Sequence, residues 1–280
     1  MRIWFLAVVV LAGCRVSDGA GAARALDAGV MRAPASPASA PPLKREWPRR
    51  PPPLASAWCG DGMASLDEET CYVLPDAPTS KLLVYLHGIV PPEKTSSLKS
   101  NLQKVVSSAA RRGRVALILP RGVQGLAPRS QPRWWGWPTG EPAYTREVAA
   151  LTARFHEARK KLEKASGVEF TSVYLAGSSS GAYFATLLAL HGDFAADGYA
   201  ALSGGAPLKA APAQKLTSRP FYIGYGEHDS VGPNARALGE QLRSGGWPVH
   251  LAAHPVGHGA REVYFDEAFA FWDIRRGAPD

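Results

Sequence analysis

The sequence has few cysteines, no internal repeat and no apolar run long enough to span a membrane as a mature helix. Only three cysteines occur among its 280 residues, and no CxxC pair or His/Cys cluster indicates a metal site. The apolar run at the N-terminus, Ile3 to Ala12, has ten residues, whereas a transmembrane helix needs about 20. Repeat proteins, metal-binding modules and integral membrane proteins are therefore disfavoured. Hydrophobic residues make up 46% of the chain, enough for a sizeable core.

The N-terminus has the pattern of an export signal. Met1-Arg2 gives a positive start ahead of the apolar run, so residues 1–13 are predicted to be a signal peptide. An uncleaved membrane anchor is the alternative, but the run is short for that role.

The end of this signal carries a further motif. Leu11-Ala12-Gly13-Cys14 resembles the lipobox of bacterial lipoproteins, in which the cysteine becomes the acylated first residue. The resemblance implies an exported protein anchored to the membrane by lipid on Cys14, because two acyl chains give stable attachment. Arg15, where an Asp would favour retention, resembles outer-membrane or cell-surface sorting in a Gram-negative cell. An ordinary secretory signal with a chance cysteine is the other interpretation.

Most of the excess positive charge lies ahead of the apolar segments. The formal net charge is +8. Residues 15–53 hold seven basic and three acidic residues and Arg2 adds one more charge, which leaves +3 for residues 54–280. Residues 14–54 are rich in Pro, Ala and Arg without apolar periodicity, which predicts a semi-extended tether. A tether near an anionic surface explains the charge better than a nucleic-acid groove, so no nucleic-acid partner is expected.

Two cysteines remain once Cys14 is assigned to lipid. Cys59 and Cys71 form an even pair in a chain that leaves the reducing cytoplasm, which predicts a disulfide. This bond would close a short loop at the start of the folded domain and add about 3 kcal/mol by the chain-entropy estimate.

Residues 55–280 alternate short apolar runs with amphipathic segments and are predicted to form one catalytic domain. Leu82 to Leu86 and Val115 to Leu119 suit strands buried on both faces, and helical spacing from Ser97 to Arg112 joins them. Further strands are predicted at 172–176, 199–202, 221–225 and 249–253, and further helices at 144–164, 181–190, 233–242 and 262–272. This order implies a mostly parallel, doubly wound α/β sheet with helices on both faces. No second helical block interrupts the later strands, so no large cap domain is expected.

A candidate nucleophile lies between one of these strands and the next helix. Gly177-Ser178-Ser179-Ser180-Gly181 matches G-x-S-x-G, a pattern in which a sharp turn thrusts the central serine above the sheet. Ser179 is therefore the predicted nucleophile. The N–H of Ser180, at the start of the helix, is one predicted donor to an oxyanion.

The second oxyanion donor is expected from the loop after an early strand. His87-Gly88-Ile89 lies there, and the Ile89 N–H is the favoured donor, with Gly88 as the second candidate. A histidine directly before such a glycine more often orders the loop than acts as a base, so His87 is given that role.

A serine nucleophile needs a base and a supporting acid. His258, in the flexible turn Val256-Gly257-His258-Gly259, follows the last predicted strand and is favoured as the base over His254 at the strand end. Asp229 follows the preceding strand and is favoured as the acid over Glu227, although a turn or helix-capping Asp is also consistent with that position.

The order Ser179, Asp229, His258 and the motifs around it resemble the α/β-hydrolase superfamily across residues 70–280. The pattern is most similar to secreted esterases related to feruloyl esterases and polyhydroxybutyrate depolymerases, or to dienelactone-hydrolase-like enzymes. Ile89 after Gly88 departs from the lipase His-Gly-Gly-Gly pattern, which weakens a lipase assignment. The resemblance implies a serine hydrolase, most simply a carboxylesterase that forms an acyl-serine intermediate and needs no cofactor.

Tryptophans are concentrated in the long connection after the second clear strand. Trp134, Trp135 and Trp137 lie above the sheet edge at which substrates enter such folds, so they are candidates for the substrate cleft or for packing of the loop. A cleft role would favour an acyl or aryl group over a small charged substrate.

Three other functions stay open. A peptidase or an acyltransferase uses the same constellation for acyl transfer. A catalytically silent surface-binding protein could retain the fold, but an intact set of three site residues argues against it.

Overall fold

A computed structural model describes residues 46–49, 56–60, 62–93, 95–209 and 217–272, all within the compact unit Leu43–Asp280. The predicted signal peptide, Cys14 and most of the predicted tether lie outside the described residues.

In the described part of the chain, the strands are β1 Ala64–Asp67, β2 Thr70–Val73, β3 Lys81–Leu86, β4 Ala116–Pro120, β5 Val123–Gln124, β6 Trp135–Gly136, β7 Ser172–Ser178, β8 Gly198–Leu202, β9 Phe221–Gly226 and β10 Val249–His254. Eight of them form one sheet in the order β1-β2-β4-β3-β7-β8-β9-β10. The other two, β5 and β6, form a separate hairpin in the connection between β4 and the helix that begins at Glu141. The strands from β4 to β10 along the sheet are parallel, whereas β2 runs antiparallel to both β1 and β4.

Helices cover both faces of this sheet. They are α1 Ser97–Gly113, α2 Glu141–Ser166, α3 Ser180–His191, α4 Gly232–Ser244 and α5 Glu262–Phe271. Along β3, Leu82, Val84 and Leu86 pack in the core with α2, α3 and α4, whereas Leu83 and Tyr85 pack with α1 and α5. Successive side chains of a strand point to opposite faces, so a continuous apolar run requires cover on both sides. The predicted parallel, doubly wound fold is confirmed.

Of the helices that the structure describes, none is both long and apolar enough to cross a membrane.

The sheet edge formed by β1 and β2 was not predicted. Each strand has four residues, and neither consists of a long apolar run. β2 is held by pairing with distant chain, since Thr70 lies opposite Pro120 and Val73 opposite Leu117, and β1 pairs in turn with β2. The predicted disulfide is present here and links Cys59 to Cys71 with a Cα–Cα distance of 5.4 Å.

The folded domain begins earlier than the predicted boundary at residue 55. Trp47 is buried in the core that packs against α2, and its indole N–H donates to the Pro75 carbonyl at 2.7 Å. The Arg49 N–H donates to the Ser166 carbonyl at 3.1 Å. Residues 46–49 are thus part of the domain and not of a tether extending to residue 54. A single tryptophan in a proline-rich stretch has no periodicity, so the sequence did not distinguish it from linker.

Candidate active site

The predicted nucleophile occupies a sharp turn between β7 and α3. Ser179 has φ 52° and ψ −120°, a positive-φ backbone conformation that a residue with a side chain rarely adopts. The flanking glycines make the turn possible. A Cβ on Gly177 would lie 2.2 Å from the Gly181 carbonyl oxygen, and one on Gly181 would lie 2.1 Å from the Leu86 carbonyl oxygen. The motif therefore lets α3 approach β3 closely and projects Ser179 from the carboxyl edge of the sheet.

Ser179, His258 and Asp229 form a continuous hydrogen-bonded chain. His258 Nε2 lies 3.0 Å from Ser179 Oγ, and His258 Nδ1 lies 2.8 Å from Asp229 Oδ2. An ionised carboxylate only accepts hydrogen bonds, so Nδ1 carries the proton and Nε2 is free to accept the serine proton. The Asp229 side chain is 1% exposed and that of His258 47%. The acid is shielded from water while the imidazole stays accessible to a substrate.

The rival acid and base lie elsewhere. Glu227 is exposed, whereas Asp229 is buried and its second oxygen accepts from the Val231 N–H at 3.1 Å. His254 Nε2 lies 3.2 Å from Glu267 Oε2. The structure thus brings the two favoured residues, and neither alternative, to Ser179.

The loop after β3 packs directly against the serine. A Cβ on Gly88 would lie 3.2 Å from Ser179 Cβ, so only glycine fits there without displacement. The next residues are tied to the β5-β6 hairpin, because Val90 and Trp135 exchange two backbone hydrogen bonds of 3.1 and 2.9 Å.

Within the described residues, the N–H groups of Ile89 and Ser180 have no hydrogen-bond acceptor. Both predicted oxyanion donors therefore remain available beside Ser179.

His87 orders this loop, as expected. Its Nε2 accepts from the Gly122 N–H at 2.8 Å, which leaves Nδ1 to donate to the Gly88 carbonyl. The ring is fully buried, and burial, with the nearby Arg121 cation adding to it, lowers the pKa of His87 to about 4. The imidazole is thus neutral at neutral pH, with one nitrogen donating and the other accepting.

One of the three tryptophan assignments is wrong. Trp137 does not line a cleft, because its side chain is fully buried and stacks on Phe184 with ring centroids 5.7 Å apart. Trp134 and Trp135 are half-buried. The Arg121 guanidinium lies 4.2 Å from the centroid of the Trp135 ring, so that indole is partly occupied in holding the hairpin.

Ser203 is a further residue of this region, and it was not predicted from the sequence. It is buried, has φ 47°, and its Oγ donates to the Gly259 carbonyl at 3.0 Å. Gly259 directly follows His258, so Ser203 holds the loop that carries the imidazole. Its position at the carboxyl end of β8, the strand beside β7, was the available signal, because ligand sites gather at that edge of parallel sheets.

Within the described ranges, no three His, Cys, Asp or Glu side chains are grouped so as to hold a metal ion. The chemistry that this site offers is that of an activated hydroxyl beside two unengaged backbone N–H groups. Such an arrangement attacks a carbonyl carbon and accommodates the charge that develops on its oxygen.

A serine on a strand-to-helix turn, followed in the chain by a buried Asp and a His on loops of a parallel sheet, defines the α/β-hydrolase class. The sequence profile of the dienelactone hydrolase family matches residues 86–265, which include all three side chains. The chain belongs to the dienelactone hydrolase family and is a hydrolase.

Solved structures share this fold. A carboxylesterase from Mesorhizobium loti is 22% identical with a TM-score of 0.55, and the match covers 82% of this chain and all of that one. A Bacillus cereus carboxylesterase is 16% identical with a TM-score of 0.53, covering 75% of this chain and 93% of that one. SOBER1 of Arabidopsis thaliana is 16% identical with a TM-score of 0.53, covering 70% and 99%. No curated protein sequence matches the chain.

Proposed function

We propose that the protein hydrolyses carboxylic esters through an acyl-serine intermediate. Ser179 Oγ attacks the ester carbonyl while its proton passes to His258 Nε2, and Asp229 stabilises the imidazolium that forms. His258 then protonates the departing alkoxide, which leaves an acyl group on Ser179. A water molecule activated by His258 cleaves this second ester and releases the acid.

The observation that carries the proposal is the continuous arrangement of Asp229 Oδ2, His258 Nδ1 and Nε2, and Ser179 Oγ, with contacts of 2.8 and 3.0 Å. The Ile89 and Ser180 N–H groups are the donors proposed for the oxyanion, and one such donor typically contributes about 3 kcal/mol to the transition state. Among acyl-transfer reactions, ester hydrolysis is favoured by the family match and by structural neighbours that are named carboxylesterases.

Hydrolysis of p-nitrophenyl acetate, butyrate and octanoate by the full chain in detergent tests this proposal. Ser179→Ala is expected to lower kcat at least a thousandfold, because the nucleophile is removed. Ser178→Ala is the matched control, since it removes a neighbouring buried hydroxyl outside the hydrogen-bonded chain and should retain most activity. Equal rates for the wild type and Ser179→Ala would overturn the serine mechanism. Fluorophosphonate labelling without ester turnover would favour a peptidase or acyltransferase, and no labelling would favour a binding protein.

The half-buried Trp134 and Trp135 are proposed to border the acyl side of the cleft. Their support is the pairing of Trp135 with Val90, one residue from the proposed donor Ile89. Trp134→Ala is expected to raise KM several-fold for the octanoate ester and little for the acetate, because a longer chain reaches the indole. An equal change for both esters would place Trp134 outside the cleft.

The attachment of the protein to a membrane is also a proposal. It rests on the Leu11-Ala12-Gly13-Cys14 motif and implies that the mature chain begins at an acylated Cys14 on the outer membrane or cell surface. Mass spectrometry of the N-terminal peptide should find diacylglycerol on Cys14, and Cys14→Ser should move the protein from the membrane fraction to the soluble fraction. An unmodified Cys14 in a mature membrane-bound chain would contradict lipidation.

A further inference from the structure

A short segment that precedes the sheet, residues 56–60, reaches the loop beside Ser179 although it lies outside the region matched by the family. Trp58 is the buried side chain of this segment and is 2% exposed. Its indole N–H donates to the Leu119 carbonyl at 3.2 Å, and its own carbonyl accepts from Gln103 Nε2 at 2.8 Å. The adjacent residue is Cys59, whose disulfide to Cys71 fixes the segment to β2. Trp58 is therefore held from both its ring and its backbone.

This tryptophan encloses His87. The Trp58 and His87 rings have centroids 4.9 Å apart, and Trp137 lies 5.2 Å from the same imidazole. The positive charge of Arg121 also disfavours protonation of this imidazole. With water excluded by the two indoles, His87 keeps the neutral form in which Nδ1 donates and Nε2 accepts.

The donating nitrogen of His87 sets the direction of the Ile89 N–H. The Gly88 carbonyl and the Ile89 N–H belong to one planar, trans peptide unit, so they point in opposite directions. Because His87 Nδ1 binds that carbonyl, the Ile89 N–H is turned away from the imidazole. A protonated His87 would have a proton on Nε2 facing the Gly122 N–H, which would break the contact that anchors the ring.

We propose that Trp58 is a positioning residue for ester hydrolysis: by enclosing His87, the disulfide-linked segment fixes the Gly88–Ile89 peptide whose N–H binds the oxyanion. The inference rests on the proposed function. Trp58 touches neither the substrate nor the reacting atoms. Its effect is on the transition state, where the oxygen carries charge, and much less on binding of the neutral ester.

The test compares Trp58→Ala and Trp58→Phe with Trp272→Phe in the full chain. Trp272 is a matched control because it is buried in the same core cluster but stacks on Tyr174. Trp58→Ala is expected to lower kcat for p-nitrophenyl acetate 10- to 100-fold with KM within twofold, and Trp58→Phe to have a smaller effect in the same direction. The inhibition constant of phenylboronic acid, which forms a tetrahedral anion on a serine, should rise by the same factor as kcat/KM falls. Trp272→Phe should change neither quantity more than twofold.

A second measurement does not depend on activity. Nitrogen-15 NMR of the imidazoles should show His87 as the neutral Nδ1–H form down to about pH 5 in the wild type, and titrating at higher pH in Trp58→Ala. The Cys59→Ala/Cys71→Ala double variant should move in the same direction as Trp58→Phe, since it releases the segment.

The inference is overturned if the folded Trp58 variants retain kcat within twofold, if phenylboronic acid binding does not follow kcat/KM, or if the His87 signals are unchanged. Circular dichroism checks that each variant is folded. If Trp58→Ala does not fold, the kcat and phenylboronic acid binding of Trp58→Phe decide the test. Failure of the proposed function gives a different result, namely equal ester turnover in the wild type and Ser179→Ala.

Discussion

The two halves of the active site are built in different ways. The nucleophile half is local, since Gly177, Ser179 and Gly181 create the turn within five consecutive residues. The oxyanion half takes the Ser180 N–H from the same turn, but its Ile89 donor depends on distant chain. The loop at Gly88 is held by His87, which contacts Trp58 and Gly122 from other elements. The local half is fixed by the backbone geometry of the motif itself. The other half depends on the whole fold, so the two should respond differently to perturbation.

Gly181→Ala is expected to have the largest effect. The added Cβ would lie 2.1 Å from a backbone oxygen of β3, so α3 must move away from the sheet. We expect a loss of more than about 4 kcal/mol in the free energy of unfolding, measured by urea denaturation, together with loss of activity. Gly140→Ala, whose Cβ meets no described atom within 4 Å, is the control and should cost no more than about 1 kcal/mol, the cost of alanine at the N-cap of α2. A well-folded, active Gly181→Ala would show that the nucleophile half tolerates displacement.

The oxyanion half should respond to pH through His87. Its pKa is about 4 in the folded state, below the ordinary value of 6.5, so the unfolded chain binds the extra proton first. The stability that depends on a neutral His87 is therefore fully present above pH 6.5. The free energy of unfolding falls as the pH drops from 6.5 through 4. Between pH 7 and pH 4.5 the wild type should lose about 2 to 3 kcal/mol more than His87→Asn. Equal pH slopes in urea denaturation of the two proteins would contradict this.

Gly88→Ala should separate catalysis from stability. A Cβ there would lie 3.2 Å from Ser179 Cβ, so the loop must yield by a few tenths of an ångström. We expect kcat to fall about tenfold, or about 1.4 kcal/mol, because the proposed Ile89 donor moves with the loop. The thermal midpoint should change by only a few degrees. A variant that loses stability but keeps kcat would show that the loop position is unimportant for the reaction.

Ser203→Ala should give the smallest effect. It removes one buried hydrogen bond, to the Gly259 carbonyl, which is expected to cost about 1 kcal/mol in the free energy of unfolding. The His258 loop should loosen and kcat should fall a few-fold. Ser65→Ala is the control, because Ser65 is also buried and donates to a carbonyl, that of Asp67, on the edge strand β1. Equal kinetic effects of both substitutions would argue against a role of Ser203 in holding the loop.

The same difference explains which parts of the fold and of the site could be predicted from the sequence: local motifs could, and contacts between distant segments could not. The parallel sheet and its helices follow from apolar periodicity, and Ser179, Asp229 and His258 could be predicted because each lies in a short motif on the loop that follows a strand. The edge strands β1 and β2 are too short to have a period of their own. Ser203 and Trp58 act through partners more than 50 and 25 residues away, respectively, which no local pattern indicates.

The error at Trp137 has a related cause. Trp134, Trp135 and Trp137 occur within four residues, and such a cluster does not indicate which indole the fold will bury. Trp137 is the buried one because its ring packs against Phe184 of α3 and against His87. Both partners are distant in the chain, so only the folded structure resolves the three side chains.

The placement of Trp47 sets the boundary for any shortened, soluble form of the enzyme. A fragment that starts at residue 54 lacks this indole and exposes the surface that it covers on the core beside α2. Removal of a buried tryptophan typically costs about 3 to 5 kcal/mol, a large share of the stability of a domain. A fragment that begins at Leu43 retains the side chain and is therefore the better choice for expression of a shortened enzyme.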